Sequence, residues 1–223
     1  MHRRARAADS RTGHAHATMF RRLAPVAVCL LLAASPLVSR ATSVSVVVGD
    51  AAGGPLGDAV VMLEPTAGHA PVKPMTGVQI AQHDLQFDPQ LSVVTVGTSV
   101  LFPNQDTVRH HVYSFSAAKT FQIKLYAGVP HTPITFDKPG VAVLGCNIHD
   151  QMVAWVIVVD TPFYARSNAA GRVRIDGVPP GGYVLHVWHS SLAENAPPMT
   201  MPITIGAADL EQRVKLGANG LAK

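Results

Sequence analysis

Three residues that bind soft metals fall within seven positions of the sequence: Cys146, His149 and Met152, in the run VLGCNIHDQM. A thiolate, an imidazole and a thioether so spaced on one tight loop can converge on a single ion. Two imidazoles and a thiolate around copper, with a weak axial thioether, make the blue-copper set, so the loop lacks one imidazole. The stretch VLFPNQDTVRHHV offers two, His110 and His111. Neighbouring residues of a strand face opposite ways, so only one of the pair can join. Zinc also accepts one cysteine with two histidines, but a thioether is a poor zinc ligand. The plainest alternative is a buried structural cysteine with incidental neighbours.

The elements that would position these groups read as strands. Short runs rich in Val, Ile, Thr and Phe alternate with Gly, Pro, Asn and Asp, the signature of an all-β sandwich. SVSVVVGD, DAVVMLEP, HHVYSF, TFQIKLY and ITF are such runs, as are GRVRIDGV, GYVLHVWH and MPITI. LSVVTVG and SVLFPN read as a strand pair closed at Gly97. VAVLGC and MVAWVIVVD flank the ligand loop, which places it at one end of a sandwich. Helical periodicity, tandem repeats and phosphate-binding loops are not evident.

Residues 1–41 read as a leader with a secretory signal. Arg21 and Arg22 precede the apolar run LAPVAVCLLLAASPLV, too short for a comfortable membrane span, with small residues at Ser39 and Ala41 for cleavage. Met19 is the better start. The expected location is therefore the periplasm or another exported compartment, with no stable membrane span after cleavage. Seven of the eighteen Lys and Arg but one of the fourteen acids precede Thr42. The mature part keeps eleven basic and thirteen acidic residues, a net of −2, and gives no case for a nucleic-acid partner. Cys29 leaves with the leader, so Cys146 has no disulfide partner within the chain, and in an oxidising compartment a free thiol asks for another role.

Residues 77–160 resemble the cupredoxins of the amicyanin and plastocyanin kind. Asn104, Asp106, His110 and Val112 match the family's Asn-x-Asp-x-x-x-His-x-Val turn, and Cys146, His149 and Met152 match its short ligand loop. VQIAQHDLQFDPQLSVVTVGTSVLF is similar to the family's opening strands. The sequence departs at Ile148, where proline is usual, and at His111, where Asn is common. The flanking stretches, VSVVVGDAAGGPLGDAVVMLEP and SNAAGRVRIDGVPPGGYVLHVWH, resemble the two ends of a carboxypeptidase regulatory-like, Ig-like β-sandwich. The expected layout is thus a Greek-key copper domain at 77–160 inserted in, or fused to, a second sandwich made of 42–76 and 161–223. The whole is similar to exported proteins labelled methylamine utilisation proteins.

The resemblance implies one type 1 copper held by His110, Cys146, His149 and Met152, with Phe102, Phe115 and Leu144 as a water-excluding shell. It implies a one-electron carrier without a catalytic site, working between redox partner proteins, with His149 as the exchange edge inside an apolar rim of Ile148, Met152 and Val153. Copper delivery or storage is the alternative. Copper oxidases and reductases need a further copper fed through a histidine beside the cysteine; here the neighbours are Gly145 and Asn147. His131 has no ligating company. Tyr183, His186, Trp188 and His189 lie on one strand and could flank a second, weak metal site.

Overall fold

The computed structural model describes residues 42–193 and 196–217. The expected leader and signal, with His14, His16 and Cys29, lies outside the described residues. No described helix is long and apolar enough to cross a membrane.

The fold is all-β. In chain order the strands are β1 (Thr42–Asp50), β2 (Val60–Pro65), β3 (Val78–Gln79), β4 (Ala81–His83), β5 (Gln86–Asp88) and β6 (Leu91–Thr95). Then come β7 (Thr98–Leu101), β8 (His110–Ser116), β9 (Lys119–Tyr126), β10 (Ile134–Phe136), β11 (Gly140–Gly145) and β12 (Val153–Val159). The last are β13 (Tyr164–Arg166), β14 (Arg172–Val178), β15 (Gly181–Trp188), β16 (Met199–Ile205) and β17 (Leu210–Leu216). They form sheets ordered β14-β1-β17, β13-β2-β15-β16, β10-β7-β3 and β6-β12-β11-β8-β9, with a β4-β5 hairpin.

Two apolar clusters follow from the period-2 alternation of these strands. One is built on β1, β2 and β14–β17, with Val44, Val46, Leu63, Leu185 and Val187 fully buried. The other lies within the middle strands, around Ile80, Val100, Phe102, Val112, Phe136 and Leu144. β12 belongs to both. Ala154, Val156 and Val158 point into the second cluster, whereas Trp155, Ile157 and Val159 point into the first. One strand buried on both faces reads as a continuous apolar run, which AWVIVV is. At Gly171 only glycine fits: its φ is +69°, and a Cβ there would stand 2.3 Å from the Val48 carbonyl oxygen.

Two readings need correction. LSVVTVG and SVLFPN are strands but not partners. β6 runs parallel beside β12, while β7 lies between β10 and β3 in another sheet. Gly97, at φ +85°, turns the chain from one sheet to the other, and a short apolar run carries no information about which sheet it enters. Phe115 is not part of the shell around the ligands, being 67% exposed, whereas Phe102 and Leu144 are fully buried. Alternation explains this: with His110 inward, Phe115 five residues on points outward.

Candidate metal centre

The site is built from two loops at one end of the middle strands. The first spans Asn104 to Val108. Asn104 is buried, and its Nδ2 donates to the Val108 and Tyr126 carbonyls at 2.8 and 3.0 Å while its Oδ1 accepts the Asp106 amide at 2.9 Å. Asn and Asp favour such side-chain-to-backbone turns. The closed loop fixes the Asp106 carboxylate, which also accepts the amides of Asp84 and Leu85 at 2.8 and 3.1 Å. Those two residues sit at φ +51° and +58° between β4 and β5, a two-residue hairpin turn with both central residues left-handed.

Asp106 Oδ2 lies 2.7 Å from His110 Nε2, with the imidazole fully buried and the carboxylate 12% exposed. Burial pushes the Asp106 carboxyl up, but the hydrogen bonds from His110, Leu85 and Asp84 outweigh it and hold it below its ordinary value. A carboxylate only accepts, so Nε2 carries a proton, and in the neutral imidazole the lone pair is on Nδ1. That is how an outer carboxylate fixes the tautomer of a ligating histidine.

The second loop joins β11 to β12. Cys146 opens it and Met152 closes it, the Met152 amide donating to the His149 carbonyl at 2.9 Å. Cys146 Sγ lies 3.9 Å from His110 Nδ1. The His110 and His149 rings meet edge-on with centroids 5.2 Å apart. One ligand atom from each of His110, Cys146 and His149 falls within 4.8 Å of the others. His149 Nδ1 is buried without a hydrogen-bond partner, an orphan that a metal would satisfy. Met152, 1% exposed, belongs to the same buried cluster as Cys146. The donor set therefore fits copper: soft thiolate, two imidazole nitrogens and a neighbouring thioether, largely shut off from water.

His111 points away from this group, its ring 5.5 Å from that of Tyr113. The expected apolar rim changes with the burial of Met152. Ile148 is 49% exposed, and Val108 and Val129 are 44% and 62% exposed. Val108 is tied to the site through Asn104, as is Gly128 next to Val129. His186 hydrogen-bonds Glu64 at 3.0 Å and His189 pairs with Ser191 at 2.7 Å. Among the described residues neither joins a cluster of three donors, and neither does His131. His83, Asp84 and Asp106 form a more exposed group that shares Asp106 with the main site.

Two features went unread in the sequence. One is the role of Asp106, whose signal was its four-residue spacing from His110 in a turn. The other is Tyr113, whose ring lies across Gly145: a Cβ on Gly145 would stand 2.7 Å from the phenol. No sequence signal pointed to it.

Asp106→Asn is expected to keep the fold but weaken copper binding about 10–100-fold, since an amide can turn its NH2 toward Nε2 and release the tautomer. Competition against a chelator of known affinity measures this. A second expectation concerns Tyr126, whose hydroxyl meets Gln82 and the Phe102 carbonyl. Burial pushes it up to about 12. In the unfolded chain a tyrosine ionises near pH 10. Between those values unfolding releases a proton, so stability contributed by the neutral phenol is full below about pH 10 and falls as pH rises toward 12. Urea unfolding at stepped alkaline pH is expected to show this decline, and Tyr126→Phe to flatten it while lowering stability at neutral pH.

No protein-family model matches the sequence, and no curated protein matches it. Among solved structures, the chain is similar to the copper-containing nitrite reductase from Thermus scotoductus SA-01, at 26% identity over 43% of this chain and 25% of that one, with a TM-score of 0.36. It is also similar to a purple cupredoxin from Nitrosopumilus maritimus, at 23% identity over 37% of this chain and 99% of that one, TM-score 0.33. Amicyanin from Paracoccus versutus aligns at 17% identity over 44% of this chain and 98% of that one, TM-score 0.32. The chain spans a quarter of the reductase's length but nearly all of the two smaller proteins.

Proposed function

We propose that the protein is an exported one-electron carrier with a single type 1 copper at His110, Cys146, His149 and Met152. The observation that carries this reading is the convergence of three donors within 4.8 Å, two of them buried, around a histidine whose tautomer is set by a carboxylate. Copper bound there would supply reversible one-electron chemistry. The chain's own residues do the rest. Asp106 orients His110; Phe102 and Leu144 exclude water. The exposed Ile148, Val108 and Val129 offer an apolar rim through which a redox partner protein could approach closely and leave. Enclosure of Cys146 and Met152 suits retention of the metal rather than its delivery. The same reading takes 42–76 and 161–223 as one sandwich framing the copper domain at 77–160.

Loading the metal-free chain with Cu(II) and recording its absorption spectrum tests the function. The expected result is an intense visible thiolate-to-copper band that dithionite bleaches and reoxidation restores. A colourless copper complex would overturn the carrier reading in favour of storage or delivery.

A further inference from the structure

A second group of metal-ligating side chains adjoins the first. His83, Asp84 and Asp106 each place a ligand atom within 4.8 Å of the other two. Exposed carboxylates alone often hold no ion, and three observations set this group apart. It contains an imidazole, which favours a borderline ion such as zinc over calcium or magnesium. His83 Nε2 and Asp84 Oδ2 stand 3.3 Å apart, the spacing of two ligands on a tetrahedral ion about 2.0–2.1 Å from each. Asp106 is a fixed donor, 12% exposed and clamped by the amides of Asp84 and Leu85.

The two oxygens of Asp106 are unequally used. Oδ2 accepts from His110 Nε2 and from the Leu85 amide, whereas among the described residues Oδ1 accepts from the Asp84 amide alone. A carboxylate oxygen has two lone pairs, so Oδ1 keeps one for an ion. His83 ends β4 and Asp84 opens the turn after it. Their side chains, 57% and 85% exposed, are free to draw in around that oxygen. We propose that His83, Asp84 and Asp106 form a second metal site, for a zinc-class divalent ion, with Asp106 bridging it to His110. An ion there adds positive charge one carboxylate away from the copper ligand, which favours Cu(I) over Cu(II) and raises the reduction potential. That consequence rests on the copper reading; the site itself does not.

Zinc is the probe. Calorimetric titration of the full Cys146→Ser chain, whose inner donor set lacks its thiolate, is expected to show a saturable site that His83→Ala and Asp84→Asn each weaken about tenfold or more. Zinc held by His110 and His149 would not respond to either substitution. Asparagine tolerates the left-handed backbone at 84, and circular dichroism checks that both variants fold. Absence of saturable binding, or full affinity in either variant, would overturn the site. In the copper-loaded wild-type chain, zinc is expected to raise the reduction potential. His83→Ala should keep the copper colour and lose that rise. A potential that zinc leaves unmoved in the wild type, or moves equally in His83→Ala, would overturn the bridge through Asp106. The calorimetry needs no copper, so this site and the carrier reading can fail separately.

Discussion

Copper-loaded Cys146→Ser protein is expected to lose its intense visible absorption while keeping the far-ultraviolet signature of an all-β chain. The band needs a thiolate bound to copper, and Cys146 is the one cysteine after residue 29. The fold does not depend on it to the same degree. Cys146 sits at the edge of a cluster whose bulk is Phe102, Val112, Phe136 and Leu144. Serine removes little volume, but its oxygen lies closer to Cβ than the sulfur does, so the His110 ring must shift to meet it, its Nδ1 now being 3.9 Å from the sulfur. The loss of stability should therefore stay near the cost of a partly satisfied buried hydroxyl, about 1–3 kcal/mol. Absorption and circular dichroism on one sample separate the effects. Wild-type colour in the serine variant would show that the thiolate is not a ligand; loss of both signals would make Cys146 a structural residue first.

The parts of this site that could be read from the sequence were those governed by local spacing. Cys146, His149 and Met152 share one short loop, and a loop that short must bring them near each other whatever the sheet does. Strand identity was legible for the same reason, since alternation is a local property. What depended on long-range pairing was not legible. β6 and β7 are adjacent in sequence but enter different sheets. β17, LEQRVKL, carries charge at its outward positions and so lacks the apolar signature of a strand, although it pairs in parallel with β1 along seven residues. The strands β3, β4, β5 and β13, of two or three residues each, are too short to show a period. Two further positions follow from strand alternation and burial. An inward His110 forces Phe115 outward, and Met152, at 1% exposure, cannot form an exposed rim.

The two adjacent histidines give the sharpest separation of roles. His110→Ala is expected to abolish the coloured site, whereas His111→Asn should leave it largely intact. Burial alone does not distinguish them, for His110 is 0% and His111 8% exposed. Their partners do. His110 is gripped at Nε2 by Asp106 and faces Cys146 with Nδ1, whereas the His111 ring packs beside Tyr113 on the opposite face of β8. Removing the His110 ring has a second consequence. It opens a cavity and leaves the Asp106 carboxylate, 12% exposed, without its ring donor, although the amides of Asp84 and Leu85 still hold it. The combined cost should be about 2–4 kcal/mol in the metal-free protein, read by urea unfolding. His111→Asn removes a ring whose Nδ1 is buried without a partner, so its cost should be smaller, and its backbone remains. Because the metal-free stability and the metal-loaded spectrum are measured separately, a His110 variant that merely unfolded would be recognised as such. A folded His110→Ala protein that kept its colour, beside a colourless His111→Asn protein, would put the second imidazole on the other face of β8. The tautomer set by Asp106 would then have no metal to serve.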